Sequence, residues 1–349
     1  MRLFTKILFG LITFSAIASC KKENSFPAKT NSPSDEIRSA PPGGNYWLSR
    51  QDCPNAVKSA NSFVINGKGY VYGGIIFGYR TNDLWVYDPT LNSWTKKASP
   101  PFARPRSSAA SFAIDGKGYI VGGNVENSGV ISSSRDTWEY NPATNTWRQR
   151  RNLPEGRQEA TGFAINGKGY VAMGRTPSNS YRADILEYDP NLDSWSTKLT
   201  LAEELGRIST VSFVIDNKAY IGTGLGDFAY FNDLWEFDPQ TNGWIRKADL
   251  PLGIRYGAIA FTIGSLGYVG SGDYVFNFPY DNYFWSYNKS SNTWTRKADI
   301  PGGEHRANAF GFSIGSYGYV GGGTTESSYY QDPYGFYRYT TSTAGSTQN

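Results

Sequence analysis

Ten tryptophans occur in this 349-residue chain, and all of them fall at two positions of a unit that repeats six times. Leu84-Trp85-Val86-Tyr87-Asp88-Pro89 runs on to Trp94, and Thr137-Trp138-Glu139-Tyr140-Asn141-Pro142 runs on to Trp147. The same phrase recurs before Trp195, Trp244 and Trp294, and a sixth copy opens at Phe336-Tyr337-Arg338-Tyr339. Tyr70, Tyr119, Tyr170, Tyr220, Tyr268 and Tyr319 keep the same beat, at spacings of 49, 51, 50, 48 and 51 residues. A period of about 50 residues with several strands per unit means a β-propeller. The second unit shows four strands: Ala109–Ile114 (a), Tyr119–Gly123 (b), Thr137–Tyr140 (c) and a strand carrying Trp147 (d), with Asp115-Gly116-Lys117-Gly118 as the first tight turn. Strand a is small in every unit, as six sheets converging on an axis require. Strands c and d hold the Trp and Tyr that fill the widening gaps between blades.

The sixth unit has strands a, b and c but no d. Tyr46-Trp47-Leu48-Ser49-Arg50 looks like Ser93-Trp94-Thr95-Lys96-Lys97, so residues 45–50 are expected to supply the missing strand and close the ring. The fold class is therefore all-β, a six-bladed propeller over residues 45–342, with 343–349 a disordered tail. Gly73-Gly74, Gly122-Gly123 and Gly322-Gly323, followed by Asn82-Asp83-Leu84-Trp85 or Asn232-Asp233-Leu234-Trp235 and then a Trp, resemble kelch repeats, and the resemblance covers residues 45–340. Met173-Gly174, Thr223-Gly224 and Ser271-Gly272 depart from it by keeping only the second glycine.

Residues 1–20 read as an export signal: Arg2 and Lys6, an apolar stretch from Ile7 to Ala18, then Ile17-Ala18-Ser19-Cys20. This end resembles a bacterial lipoprotein signal with Cys20 as the lipidated residue; the alternative is a plain secretory signal. Residues 21–44, rich in Ser, Pro, Lys and Asn, read as a flexible tether. The expected location is the bacterial cell envelope, lipid-anchored in the outer membrane, with no other membrane contact. Cys53, the second cysteine, is expected to be a loop or buried thiol.

The formal charge is +4 and unclustered, with no footprint for nucleic acid. One histidine, His305, excludes multi-histidine metal centres, so no metal or cofactor is expected. Galactose oxidase resembles this fold, but its copper needs a pair of histidines that this chain lacks. The a–b and c–d turns are short and alike and lie on one face. The b–c loops on the other are long and unlike, which marks the binding face. Their aromatics Tyr79, Tyr181, Phe228, Tyr230, Tyr274, Phe276, Tyr280, Tyr329 and Tyr330 are candidate contacts for a glycan or a protein partner. Arg106, Arg157, Arg207, Arg255 and Arg306 recur at the start of strand a, and Asp83, Asp136, Asp184 and Asp233 at the start of strand c. Most of these read as structural pairs. Arg255 and Arg306 lack the Asp in their own units, where Tyr283 and Gly335 stand, and are the arginines expected to face a ligand. The leading reading is a non-catalytic, envelope-anchored binding or scaffold propeller. The alternative rests on resemblance to N-acetylneuraminate epimerases, six-bladed kelch propellers that mutarotate a sugar acid; it would use Glu159, Glu304, Arg255 and Arg306 at the channel mouth.

Overall fold

The computed structural model describes residues 45–341, apart from 56, 102–103, 128, 228, 252, 254, 274–282, 302–305 and 325–334. Six four-stranded antiparallel sheets form the blades of a propeller. Blade 1 is built from Asn61–Ile65, Lys68–Tyr72, Leu84–Asp88 and Ser93–Lys97, and blade 2 from Ala110–Ile114, Lys117–Val121, Thr137–Asn141 and Thr146–Arg150. The a-to-d pattern repeats to blade 6, where Phe310–Ile314, Tyr317–Gly321 and Phe336–Thr341 are completed by Asn45–Ser49. Asn45–Ser49 runs antiparallel to strand c of that blade with Trp47 opposite Tyr339, so the N-terminal strand closes the ring as expected. The lipidation candidate Cys20, the tether 21–44 and the tail 343–349 lie outside the described residues.

Alternation dictates what each strand buries. In strand a, Phe63, Phe112, Phe163, Phe213, Phe261 and Phe312 point into the core, and each stacks on the tyrosine opposite it in strand b. In five blades a glycine precedes that tyrosine and receives the phenylalanine of the preceding blade; in blade 4 Ala219 stands there. A Cβ on Gly118 would lie 2.2 Å from the Phe63 ring. The recurring Gly-Tyr pair is therefore a packing contact between blades.

The double glycine is explained by its two backbone conformations. Its first position has φ between 58° and 67° in all six blades, a region that Met173, Thr223 and Ser271 also occupy. Its second has φ between 91° and 104°, which only glycine tolerates, and there the chain never departs from glycine.

Strand d ties the outer rim. The indole N–H of Trp147 donates to Ala98 O of blade 1 at 2.6 Å, and Trp47, Trp94, Trp195 and Trp294 make the same bond across their own seams at 2.8–2.9 Å. Beside it, Asn145 Oδ1 accepts both the Tyr140 hydroxyl and the Ala98 N–H. Burial of Trp47 against Phe284 and Tyr339 together with its rim bond predicts that Trp47→Ala lowers stability by about 3–5 kcal/mol. Urea denaturation checks this, and removal of residues 45–50 should cost at least as much.

Candidate functional site: the channel mouth

Two closed circuits of backbone hydrogen bonds define the mouth. The residue two before each strand a bonds to its counterpart in the next blade: Ser108 N to Ser59 O, then Glu159, Ser209, Gly257, Asn308 and back to Ser59, at 2.8–3.4 Å. All six have φ between 53° and 63°. Outside this collar, the second glycine of each blade donates to the carbonyl at the start of the next strand a, from Gly74 to Arg106 round to Gly323 and Val57, at 2.7–3.0 Å. The collar surrounds a channel cavity of about 230 Å³ lined by the small residues of strand a.

Because the backbone makes the frame, side chains at the mouth are free to differ. Each blade adds one antiparallel bridge above the collar. The bridging pairs Lys58·Ile75, Gln158·Arg175, Ile208·Leu225, Tyr256·Asp273 and Ala307·Thr324 differ in chemistry at equivalent positions. Blade 2 places Ser107 opposite Asn124 there. A vestibule of about 270 Å³ opens on the blade 3–5 side, lined by Glu159, Ser209, Asn308, Leu225, Tyr230 and Tyr256 among others. Glu159 is the one ionisable residue of the collar. Its Oε2 accepts the Ser209 hydroxyl at 2.9 Å, and its Oε1 lies 3.6 Å from Arg175 Nη2. The Tyr230 and Tyr256 rings lean together with centroids 6.4 Å apart, and the Tyr256 hydroxyl donates to Asp273 at 2.8 Å. This lining can accept and donate hydrogen bonds around an apolar wall, which suits a small polar group. Among the described residues no cluster of His, Cys, Asp and Glu could hold a metal ion.

The structure brings together Glu159 and Tyr230 of the sequence candidates. Tyr181 is half-buried and bridges Arg175, while Tyr79 stands 79% exposed on the hairpin Ile75–Ile76/Tyr79–Arg80. Phe228, Tyr274, Phe276, Tyr280, Tyr329, Tyr330 and Glu304 lie outside the described residues.

The arginine ring is structural in blades 2 to 4. Arg106 makes a two-pronged pair with Asp136 at 2.6 and 2.8 Å and donates to Gly122 O; Arg157–Asp184 and Arg207–Asp233 repeat it. Trp138 and Trp235 donate to the same carboxylates, and Phe231 stacks on Arg207. Burial disfavours the Asp136 carboxylate, but the Arg106 bonds and charge outweigh it and hold Asp136 below the usual carboxylate range.

Arg255 and Arg306 correct the expectation that they face a ligand. They are 0% and 4% exposed, turned into the wall of their blades with Nη1 donating to Ser271 O and Gly322 O respectively. Arg306 takes that direction although Gly335 stands where the repeat's Asp would be. Burial lowers the pKa of Arg306 from its ordinary value, with no carboxylate bond among the described residues to offset it. In blade 1 the converse holds: Val57 replaces the arginine, and Asp83 turns to Lys96 and Asn55. Cys53 is buried and its thiol is pushed up to about 12 by burial, which leaves it unreactive.

Sequence reasoning passed over Tyr256 and Arg175. Both stand at fixed repeat positions where the other blades differ, and that variation was the available signal.

The repeats and the closed ring define a kelch-repeat β-propeller. Residues 45–174 match the KLHDC2/KLHL20/DRC7 Kelch-repeats domain. The chain is 26% identical to Kelch-like protein terF of Aspergillus terreus over 60% of its length and 48% of that protein's. It is 25% identical to Kelch-like protein 35 of Mus musculus over 66% of its length and 38% of that protein's. It thus spans less than half the length of these curated relatives. The solved structure of YjhT superposes with a TM-score of 0.68 at 18% identity, over 81% of this chain and 94% of that one; at that identity the likeness concerns the fold.

The Arg106–Asp136 pair predicts a pH signature. A carboxyl held low in the folded state stabilises above its unfolded pKa of about 3.9, and this is lost as pH falls through the folded value. Arg106→Ala should cost about 3–5 kcal/mol at neutral pH, because it strands a mostly buried carboxylate. Urea titrations of both proteins should show that difference narrowing below about pH 4. Arg306→Met, which removes a buried cation without the repeat's Asp, should cost less than Arg106→Met.

Proposed function

We propose that this protein is a non-catalytic binding propeller, exported and tethered to the outer membrane through a lipid on Cys20, whose b–c loop face recognises a glycan or protein partner. The observation that carries this is a group of exposed apolar residues on two neighbouring hairpins of that face. Phe77 and Tyr79 stand on the blade 1 hairpin and Val130 and Ile131 on the blade 2 hairpin, each more than half exposed. The Arg80–Glu126 ion pair, at 3.1 Å, links the two. Neighbouring exposed apolar side chains on variable loops of an otherwise regular repeat suit a partner surface. Kelch-like relatives over 60% and 66% of the chain fit a binding role.

The full chain, immobilised and screened against a glycan array and an extract of its own cells, tests this. Parent protein should retain a partner that Phe77→Ser/Tyr79→Ser/Ile131→Ser loses at unchanged melting temperature. No capture, or capture unaffected by the three changes, rejects the assigned face. Cys20→Ser should release the protein from membranes; retention after washing argues against the lipid anchor.

One observation favours the mutarotase alternative: Glu159 sits in the vestibule with Arg175 beside it. That reading loses Arg255 and Arg306 as a carboxylate clamp, because both are buried. Calorimetric titration of sialic acid into parent and Glu159→Gln separates the two. Heat from the parent that the variant abolishes supports the mutarotase; none at millimolar ligand leaves the binding propeller.

A further inference from the structure

The six repeats allow each blade to be compared with the others position by position, and one corner of blade 2 departs from the pattern at four adjacent places. Four residues after the strand d tryptophan, blades 1, 5 and 4 carry Ala98, Ala298 and Ala248, where blade 2 carries Arg151. Position 151 is needed for its backbone only: its N–H donates to Asp193 and its carbonyl accepts the Trp195 indole. The arginine side chain is an addition that the fold does not ask for. One residue on, blades 4, 5 and 6 carry Asp249, Asp299 and Asp52, where blade 2 has Asn152. In blades 4 and 5 that aspartate neutralises an arginine three residues earlier, as Arg246–Asp249 and Arg296–Asp299. Blade 2 replaces the ion pair with a neutral amide pair, in which Gln149 Nε2 donates to Asn152 Oδ1 at 3.4 Å. Finally, Arg135 stands before strand c, where Asn82, Ala183 and Asn232 stand elsewhere.

These changes converge on one shallow cavity of about 550 Å³, lined by Arg135, Gln149, Arg150, Arg151, Asn152 and Asp193 among others. Arg150 is spent: its Nη2 and Nε hold Glu139 at 2.6 and 2.8 Å. Arg135 and Arg151 are exposed, and neither makes an ion pair among the described residues. The one acid of the wall, Asp193, is occupied by the Arg151 N–H at 2.9 Å and the Tyr188 hydroxyl at 2.7 Å. The cavity thus joins two guanidiniums and two side-chain amides against one carboxylate already engaged. Guanidiniums match oxyanions through paired N–H donors, and amides add neutral donors at the rim.

We propose that this corner of blade 2 is a second binding site, distinct from the channel mouth, for a tetrahedral oxyanion: a phosphate or sulfate, free or borne as an ester on a larger ligand. The site does not depend on what the b–c face recognises.

The test uses substitutions that restore what sister blades carry at the same positions, so the fold is kept. Inorganic phosphate, inorganic sulfate and dextran sulfate are titrated calorimetrically into the full-length protein, Arg151→Ala/Arg135→Asn and Asn152→Asp. The parent should bind saturably, and each variant should bind at least about tenfold more weakly, the loss of one charge-assisted contact of 1.4 kcal/mol or more. Melting temperatures should stay unchanged. Dextran sulfate binding that phosphate displaces only at large excess assigns the site to a polymer-borne ester; comparable affinity for phosphate assigns it to the free ion. No saturable binding of any probe, or equal binding by the variants, overturns the proposal.

Discussion

The structure depends on the collar of backbone hydrogen bonds in which each blade's entry residue holds the next, from Ser59 through Glu159 to Asn308 and back. A sheet can satisfy its own ladder without neighbours, so six sheets standing side by side need something to fix their spacing at the axis, where side chains are too small to do it. The collar supplies this with groups every residue possesses. Its cost is conformational: each of its six residues sits at positive φ, where Ser, Asn and Gly are tolerated better than branched residues. That cost is acceptable because all six members bond to neighbours and the circuit leaves no end unsatisfied.

Much else follows from a frame made of main chain. A side chain pointing into the mouth carries no structural duty there, so blade 3 can place Glu159 where blades 1, 2 and 4 place serine, and blade 5 can pair Tyr256 with Asp273 where blade 4 pairs Ile208 with Leu225. The same logic reaches the outer rim, where the residue after strand d contributes only its N–H and carbonyl, leaving Arg151 free to differ from its alanine counterparts. Departures from the repeat are informative at such positions and uninformative where the side chain itself is the tie, as at Asn145.

That distinction explains what was legible in the sequence. The blades, the closing strand and the Arg–Asp pairs were readable because periodic side chains make them: Trp47 announces its place by likeness to Trp94. The glycine departures at Met173, Thr223 and Ser271 were visible too, although only the backbone angles show why the first glycine is dispensable and the second is not. Arg255 and Arg306 were misjudged. Loss of the partner aspartate suggested exposure, yet both side chains are buried where strand a begins and each reaches a carbonyl of its own blade. Tyr256 was passed over because the vestibule is assembled from all six blades, and no single stretch of chain announces it.

The seam between blades 3 and 4 shows which ties the ring can spare. Trp244 has no acceptor for its indole N–H among the described residues, whereas five other strand d tryptophans have one. The cause lies across the seam: a bulge between Ile185 and Leu186 shifts the register of strand d in blade 3, so Leu199, at the acceptor's place in the repeat, pairs instead with Ile185. Phe237 also stands where other blades have the tyrosine whose hydroxyl reaches the Asn or Asp of the c–d turn position, which removes a second bond of about 1 kcal/mol. The inner circuits are unaffected there, with Ser209 N on Glu159 O at 2.9 Å and Gly174 N on Arg207 O at 2.8 Å. Apolar packing of Leu199 and Leu201 fills the outer gap instead. The rim can exchange hydrogen bonds for apolar area because any buried side chain of suitable volume will serve. The collar cannot, because a broken circuit at the narrow axis would leave donors and acceptors facing one another with nothing able to reach them.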